Sequence, residues 1–150
     1  MGALIKSIEK EDIGHICNMA DIIFAEFEIS GVGNDLKYRA DWSMSVKLIV
    51  DDILAGFYLF NKQQLNYPEF DGKNGVQGVA LGVLKEYRGK GYGKLLIEKS
   101  YELFSNEYDY IWGMHLASLK NIDHWKKRRK IYNEKKGASI YLSYAFYNEI

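Results

Sequence analysis

The sequence contains very little cysteine and proline. Among its 150 residues, Cys17 is the single cysteine and Pro68 the single proline. One cysteine excludes an intrachain disulfide and any metal site built from several cysteines, so we expect no metal cofactor. A single cysteine also suits a reducing compartment, and we therefore expect a cytoplasmic protein.

The sequence also lacks an excess of either charge and any long apolar segment. Lys plus Arg and Asp plus Glu each total 20, so the formal net charge is zero. A neutral chain argues against a general nucleic-acid coat, because such proteins carry a basic surface. No apolar run approaches the ~20 residues that a membrane-spanning helix needs, and the first residues lack the pattern of a signal peptide. We expect neither a nucleic-acid partner nor a membrane partner.

The apolar residues that are present predict an α+β fold. They make up 47% of the chain, enough for one core, and we expect a single domain spanning residues 1–150. Their periodicity predicts, in order, a strand, one or two helices, three consecutive strands, a helix, a strand, a helix and a strand. The middle helix joins two strands of one sheet in a βαβ crossover. The expected architecture is a mixed, mostly antiparallel central sheet flanked by helices.

Two segments near the C-terminus carry more specific predictions. The basic stretch NIDHWKKRRKIYNEKK, residues 121–136, predicts a helix with Gly137 as its C-terminal cap. The stretch ASIYLSYAFYNE, residues 138–149, has no turn signal and predicts one long strand beside YIWGMHLAS, residues 110–118. The outer edge of that strand would be aromatic and unpaired, so we expect it to pair across a homodimer.

The stretch EYRGKGYGKLL, residues 86–96, concentrates glycine and positive charge between a predicted strand and a predicted helix. Its glycines are at positions 89, 91 and 93, and its cations are Arg88, Lys90 and Lys94. Glycine at this density costs conformational entropy, whereas unpaired N–H groups at a helix N-terminus bind phosphate. The spacing fits neither a P-loop nor the dinucleotide fingerprint GxGxxG. The stretch is therefore interpreted as a phosphate-binding loop of another kind.

The spacing Arg-x-x-Gly-x-Gly, at Arg88, Gly91 and Gly93, resembles the GNAT superfamily of acetyl-CoA-dependent N-acetyltransferases. Leu81 and Val83 match the apolar positions upstream of the motif, and Lys85 replaces the usual proline. Three more segments are similar to family segments in the same order: IKSIEKEDIGHI, VDDILAGFYLF and IYNEKKGA. The resemblance covers nearly the whole chain. It implies the GNAT fold, acetyl-CoA as cofactor, and transfer of its acetyl group to a primary amine.

The resemblance also implies which residues bind acetyl-CoA. The pyrophosphate would lie on the N–H groups of the loop, and the pantetheine arm would pair with the preceding strand like an added strand. The implied cofactor-binding residues are Leu81, Gly82, Val83, Arg88, Gly89, Lys90, Gly91, Tyr92, Gly93, Lys94 and Asn121. Asn121 is farther from the family tyrosine than usual, so a helix N-cap is its alternative role. The small residues Gly78, Ala80 and Gly82 would admit either a ligand or a closely packed helix.

Catalysis needs a proton donor, an oxyanion donor and a base. Tyr132 matches the family tyrosine that protonates the leaving thiolate, and the N–H of Val83 is the implied oxyanion donor. His115 is the candidate base, because an imidazole with a pKa of about 6.5 exchanges protons at neutral pH. A histidine on a strand can instead be a core residue. Glu69, Asp71 and water are the alternative candidates for the base.

No motif identifies the acceptor, which we expect to enter between residues 27–42 and residues 61–75. Acidic residues in or beside these segments favour a cationic acceptor such as a polyamine, an aminoglycoside or a lysine side chain. They are Glu26, Glu28, Asp35, Asp41, Glu69 and Asp71. Two other functions remain open at this point. One is a non-catalytic acyl-CoA-binding module, and the other is an RNA-binding module that uses KKRRKIY. A solvated helix face is the simpler interpretation of that basic run.

Overall fold

A computed structural model describes residues 2–65, 68–116, 130–136 and 142–149 of the chain. Its helices are α1 (Asp12–Ala25), α2 (Val32–Arg39) and α3 (Tyr92–Phe104). Its strands are β1 (Ala3–Ser7), β2 (Val46–Val50), β3 (Ile53–Asn61), β4 (Gly75–Val83), β5 (Tyr110–Leu116), β6 (Lys130–Lys136) and β7 (Leu142–Glu149). Short 3-10 turns cover Trp42–Met44, Pro68–Phe70 and Lys85–Tyr87.

The strands form a mixed sheet in the order β1-β2-β3-β4-β5-β7-β6. Neighbouring strands run antiparallel at β1/β2, β2/β3, β5/β7 and β6/β7. Strands β4 and β5 run parallel, and α3 connects them, which is the predicted βαβ crossover. The predicted α+β class and mostly antiparallel sheet are confirmed.

The β2–β3 hairpin turns at two consecutive aspartates. Asp51 has φ +48° and Asp52 has φ +67°, so both central residues are left-handed. Such a two-residue turn matches the twist of the flanking strands, and Asp tolerates this conformation better than most residues. The alternating burial of β2 then directs Val46, Leu48 and Val50 into the protein interior.

The predicted helix over residues 121–136 is wrong over its second half. Lys130–Lys136 is strand β6 and pairs antiparallel with β7. The local pattern suited a helix, but pairing with the long aromatic strand β7 satisfies the backbone of both segments, and tertiary context overrides local propensity. Residues 117–129, which include Asn121 and most of the basic run, lie outside the described residues, as does Gly137.

Strand β7 covers residues 142–149 of the long C-terminal strand predicted over residues 138–149, and residues 138–141 lie outside the described residues. It pairs with β5 from Tyr110↔Glu149 to Leu116↔Ser143. Its other edge was expected to be unpaired, and this is wrong because β6 occupies it from Lys130↔Tyr147 to Lys136↔Leu142. The homodimer expected through that edge therefore loses its structural basis.

The chain packs as two compact units. One comprises residues 1–61 and 79–103, and the other residues 62–78 and 104–150. The core of the first includes Ile16, Met19, Ala20, Ile23, Leu36, Ala40, Phe57, Leu59 and Ala80. The core of the second includes Leu65, Phe70, Tyr110 and Trp112. Within the described ranges, every helix is too short or too polar to cross a lipid bilayer.

Candidate functional site

The glycine-rich loop leaves β4 at Val83 and enters α3 at Tyr92. One 3-10 turn shapes its first half, where Tyr87 N–H donates to Leu84 C=O at 2.9 Å and Arg88 N–H donates to Lys85 C=O at 3.2 Å. Gly89 and Gly91 follow with φ of +77° and +86°. These are left-handed conformations that other residues adopt only with strain, so the backbone itself requires two of the three glycines.

The third glycine of the loop, Gly93, is not required by the protein itself. It lies in the first turn of α3, outside the left-handed region, and a Cβ added there would meet no atom within 4 Å. Glycine in a helix is about 0.5–1 kcal/mol less stable than alanine. Neither the backbone nor the packing around it requires glycine at this position. The loop is open to solvent on this side, since Cβ atoms added at Gly89 and Gly91 would also have no atom within 4 Å.

The start of α3 offers hydrogen-bond donors to an anion. The first helical bond runs from Leu95 N–H to Gly91 C=O at 3.1 Å, so the N–H groups of the preceding first turn have no acceptor within the helix. The first turn contains no acidic residue, and Lys90 and Lys94 are exposed beside it. Open space, free donors and positive charge fit the pyrophosphate of acetyl-CoA.

Arg88 directs its guanidinium to protein groups. Its Nε–H donates to Val83 C=O at 2.8 Å, and its Nη1 lies 2.7 Å from Glu26 Oε2 at the end of α1. Sequence reasoning did not find Glu26 as its partner, because the two residues are 62 positions apart and no local motif joins them. Arg88 thus connects the end of α1 to the end of β4.

Small residues on β4 make room for the protein core. A Cβ at Gly82 would lie 2.7 Å from the ring of Phe57 and 3.0 Å from Ile23 Cδ1. Ala80 is buried in the same cluster. Packing against α1 and β3 accounts for these two positions. Leu81 and Val83, which alternate with them, are half-buried.

Hydrogen bonds fasten the loop before β4 to the neighbouring strands. Gln64 Oε1 accepts from Gly75 N–H at 2.6 Å, and Gln64 Nε2 donates to Gly75 C=O at 2.8 Å. Leu65 N–H donates to the Tyr110 hydroxyl at 3.1 Å, and Trp112 Nε1–H donates to Gln63 C=O at 2.7 Å. Residues 63–65 are therefore tied to β4 and β5.

The catalytic candidates occupy strands β5 and β6. His115 lies in β5, opposite Tyr144 of β7. Tyr132 lies in β6 where the register with β7 shifts between Ile131 and Asn133. Of the alternative bases, Glu69 lies in the turn Pro68–Phe70 and Asp71 is exposed beyond it. Among the described residues, no group of three or more His, Cys, Asp and Glu could hold a metal ion.

Several acidic residues that suggested a cationic acceptor interact with groups of the protein itself. Glu26 pairs with Arg88, and Asp35 Oδ2 lies 2.9 Å from Arg39 Nη1. Asp41 accepts hydrogen bonds from the N–H and hydroxyl of Ser43. Arg88 and Arg39 compensate the charges of Glu26 and Asp35, which weakens the preference for a cationic acceptor.

A sequence profile of the acetyltransferase (GNAT) family matches residues 18–127. The chain belongs to this family, which confirms the predicted family, cofactor and activity: transfer of an acetyl group from acetyl-CoA to an amine. The matched region contains β4, the glycine-rich loop and α3. No curated protein matches the sequence.

Solved structures share the fold over the full chain. Ard1 from Thermoplasma volcanium has a TM-score of 0.76 at 13% identity, covering 100% of this chain and 99% of that one. Arabidopsis thaliana Naa50, in complex with the bisubstrate analogue CoA-Ac-MVNAL, has a TM-score of 0.75 at 15% identity, with 100% of both chains covered. Arabidopsis thaliana NAA60, in complex with acetyl-CoA, has a TM-score of 0.74 at 17% identity, covering 99% of this chain and 100% of that one. At these identities the likeness establishes the fold.

Proposed function

We propose that residues 89–94 bind the pyrophosphate of acetyl-CoA through their N–H groups, with Lys90 and Lys94 adding positive charge. Gly93 carries this proposal. It lies in a helix where glycine is unfavourable, and the protein around it requires no glycine. A ligand that approaches the helix N-terminus closely would explain why this position is glycine.

We further propose that the pantetheine arm lies along Leu81, Gly82 and Val83 of β4. Asn121 stays a candidate contact for that arm.

The transfer step requires proton movements that the chain's own residues would perform. Acetyl-CoA supplies a thioester carbonyl carbon, to which the acceptor nitrogen bonds as the carbon–sulfur bond breaks. An alkylamine with a pKa of about 10 is protonated at neutral pH, and we assign His115 as the base that removes its proton. Tyr132 would then protonate the departing thiolate, and Val83 N–H would donate to the carbonyl oxygen. Glu69, Asp71 and water are the alternative bases.

Binding and turnover should be measured separately. Isothermal titration of the protein with acetyl-CoA, and then with coenzyme A, tests the cofactor site. Release of free thiol from acetyl-CoA tests transfer across a panel of amines. Comparable affinity for both ligands is expected, since the pyrophosphate is common to them. No binding of either ligand by the folded protein would contradict the proposed loop.

The acceptor panel can be chosen from the structural neighbours and from the sequence. The Naa50 complex contains the analogue CoA-Ac-MVNAL, so a peptide beginning MVNAL is one member. Another neighbour is described as a putative phosphinothricin N-acetyltransferase, so phosphinothricin is a second. A polyamine, an aminoglycoside and a lysine peptide complete the panel. We propose a primary amine as acceptor, and release of thiol with at least one member supports it.

A non-catalytic acyl-CoA-binding module is the second candidate. No carboxylate was identified on β4 or β5 as a base, and this favours the second candidate. Tight acetyl-CoA binding with no thiol release across the panel would support it. Where thiol release is observed, Tyr132→Phe tests the catalytic function further. This change should lower kcat and leave the affinity for acetyl-CoA unchanged. The cytoplasmic location is likewise a proposal, supported by the single cysteine.

A further inference from the structure

The ion pair between Glu26 and Arg88 joins two segments that are distant in sequence. Arg88 Nη1 and Glu26 Oε2 are 2.7 Å apart, and each side chain is 37% exposed. Glu26 follows the last residue of α1 as its C-terminal cap. The last turn of α1 contains no basic residue of its own. Arg88 therefore supplies a cation near the negative end of the helix, where positive charge is favourable.

Arg88 also fixes the backbone at the start of the glycine-rich loop. Its Nε–H donates to Val83 C=O, and the N–H of the same peptide group, on Leu84, donates to Ala55 C=O at 2.9 Å. The Val83–Leu84 peptide is thus held from both sides. The chain continues from Arg88 directly into Gly89, the first of the two left-handed glycines of the loop.

We propose that Glu26 is a positioning residue for the cofactor loop. By holding the Arg88 guanidinium, Glu26 keeps the Val83–Leu84 peptide and the following N–H groups in the arrangement that accepts pyrophosphate. Glu26 acts through Arg88 and does not contact the cofactor. This inference rests on the proposed pyrophosphate site at residues 89–94.

The sign of the expected effect separates positioning from simple electrostatics. A carboxylate near a phosphate site repels the phosphate, so neutralising Glu26 should tighten acetyl-CoA binding if only its charge acted. If Glu26 positions the loop, neutralising it should weaken binding. The two explanations therefore predict opposite changes in Kd for Glu26→Gln.

Titration calorimetry with acetyl-CoA on four variants tests the inference. Glu26→Gln should raise Kd by about fivefold to tenfold, and Glu26→Asp should recover part of the loss. Arg88→Lys keeps the charge but cannot reproduce the two-directional donation of a guanidinium, so it should weaken binding as well. The double variant Glu26→Gln/Arg88→Lys should have a Kd within about twofold of that of Arg88→Lys alone, because the two single changes remove the same interaction. In steady-state assays, Glu26→Gln should raise the KM for acetyl-CoA while kcat at saturation stays near wild type.

Glu28→Gln is the matched control. Glu28 is exposed two positions further along, and its neutralisation removes the same charge. It should leave Kd unchanged or slightly lower. An unchanged or lower Kd for Glu26→Gln overturns the positioning role, even when wild type binds normally.

Hydrogen exchange in the free protein gives a second readout that needs no cofactor. Glu26→Gln should accelerate exchange at the Leu84, Tyr87 and Arg88 amides, with no change in α2. Unchanged exchange at these three amides also overturns the inference. Wild-type protein that fails to bind acetyl-CoA contradicts the proposed site instead, and exchange still reports whether Glu26 orders the loop.

Discussion

Gly93 is a poor residue for the stability of α3 and a suitable one for a ligand. Its replacement by alanine should therefore stabilise the protein and weaken its function. Gly93→Ala should raise the free energy of unfolding by up to about 1 kcal/mol, because glycine has low helix propensity and the site has room for a methyl group. The same methyl group should lower acetyl-CoA affinity by obstructing the N–H groups. Chemical denaturation and calorimetry on one preparation measure both. A destabilised variant, or one that binds as tightly as wild type, would contradict this account.

The Tyr110 hydroxyl is the second single group with a measurable role. Tyr110 is 1% exposed, and its oxygen accepts a hydrogen bond from the N–H of buried Leu65. Tyr110→Phe leaves that N–H without its partner, so the free energy of unfolding should fall by about 1–3 kcal/mol. Tyr38, which is 77% exposed, provides the control, and Tyr38→Phe should change stability by less than about 0.5 kcal/mol. Equal effects of the two changes in urea denaturation would mean that the hydroxyl of Tyr110 is not needed.

At the scale of elements, one ion pair joins α1 to β2. Asp12 accepts hydrogen bonds from Lys47 Nζ at 2.5 Å and from Glu9 N–H at 2.8 Å. Burial alone raises the pKa of Asp12. The Lys47 and Glu9 hydrogen bonds, with the nearby positive charge, outweigh burial and hold the pKa below its usual 3.8. The pair therefore stabilises the folded state while Asp12 is ionised.

This lowered pKa predicts how stability depends on pH. A carboxyl whose pKa is lower in the folded state stabilises fully above the unfolded value, and that stabilisation is lost as pH falls through the folded value. Asp12→Asn should thus be less stable than wild type at pH 7, and the difference should shrink below pH 3.8. Asp35→Asn, which breaks an exposed pair on α2, should change stability by less than about 0.5 kcal/mol. Urea denaturation across pH gives the comparison. A gap for Asp12→Asn that stays constant with pH would refute the assignment.

At the scale of the molecule, the sequence indicated most of the fold. Apolar periodicity located α1, the β2–β3 hairpin, β4, α3 and β5, because each buries one face against a core and so carries a local pattern. It failed at β6, where the charged segment around Lys130 becomes a strand by pairing with β7. Strand pairing between segments depends on the partner, so no local pattern predicts it. The expected free edge of β7 failed for the same reason.

The candidate site divides in the same way. The loop glycines were recognisable because their spacing is a local motif. The partners of the loop were not, since Glu26 and Arg88 are 62 residues apart and Leu65 and Tyr110 are 45 apart. Such contacts exist only after the sheet forms. Asn121 lies outside the described residues, and the roles of His115 and Tyr132 stay predictions.

The open glycine-rich loop also has a consequence for limited proteolysis. Lys90 is exposed between two left-handed glycines, in a segment where a protease can reach the backbone. Trypsin should therefore cleave the native protein after Lys90, and acetyl-CoA seated on the loop should slow that cut. Lys73, exposed in the loop before β4, provides an internal reference, because acetyl-CoA should protect its bond less. Mass spectrometry of the fragments over time distinguishes the two sites, and equal protection of both would indicate stabilisation of the whole protein in place of a covered loop.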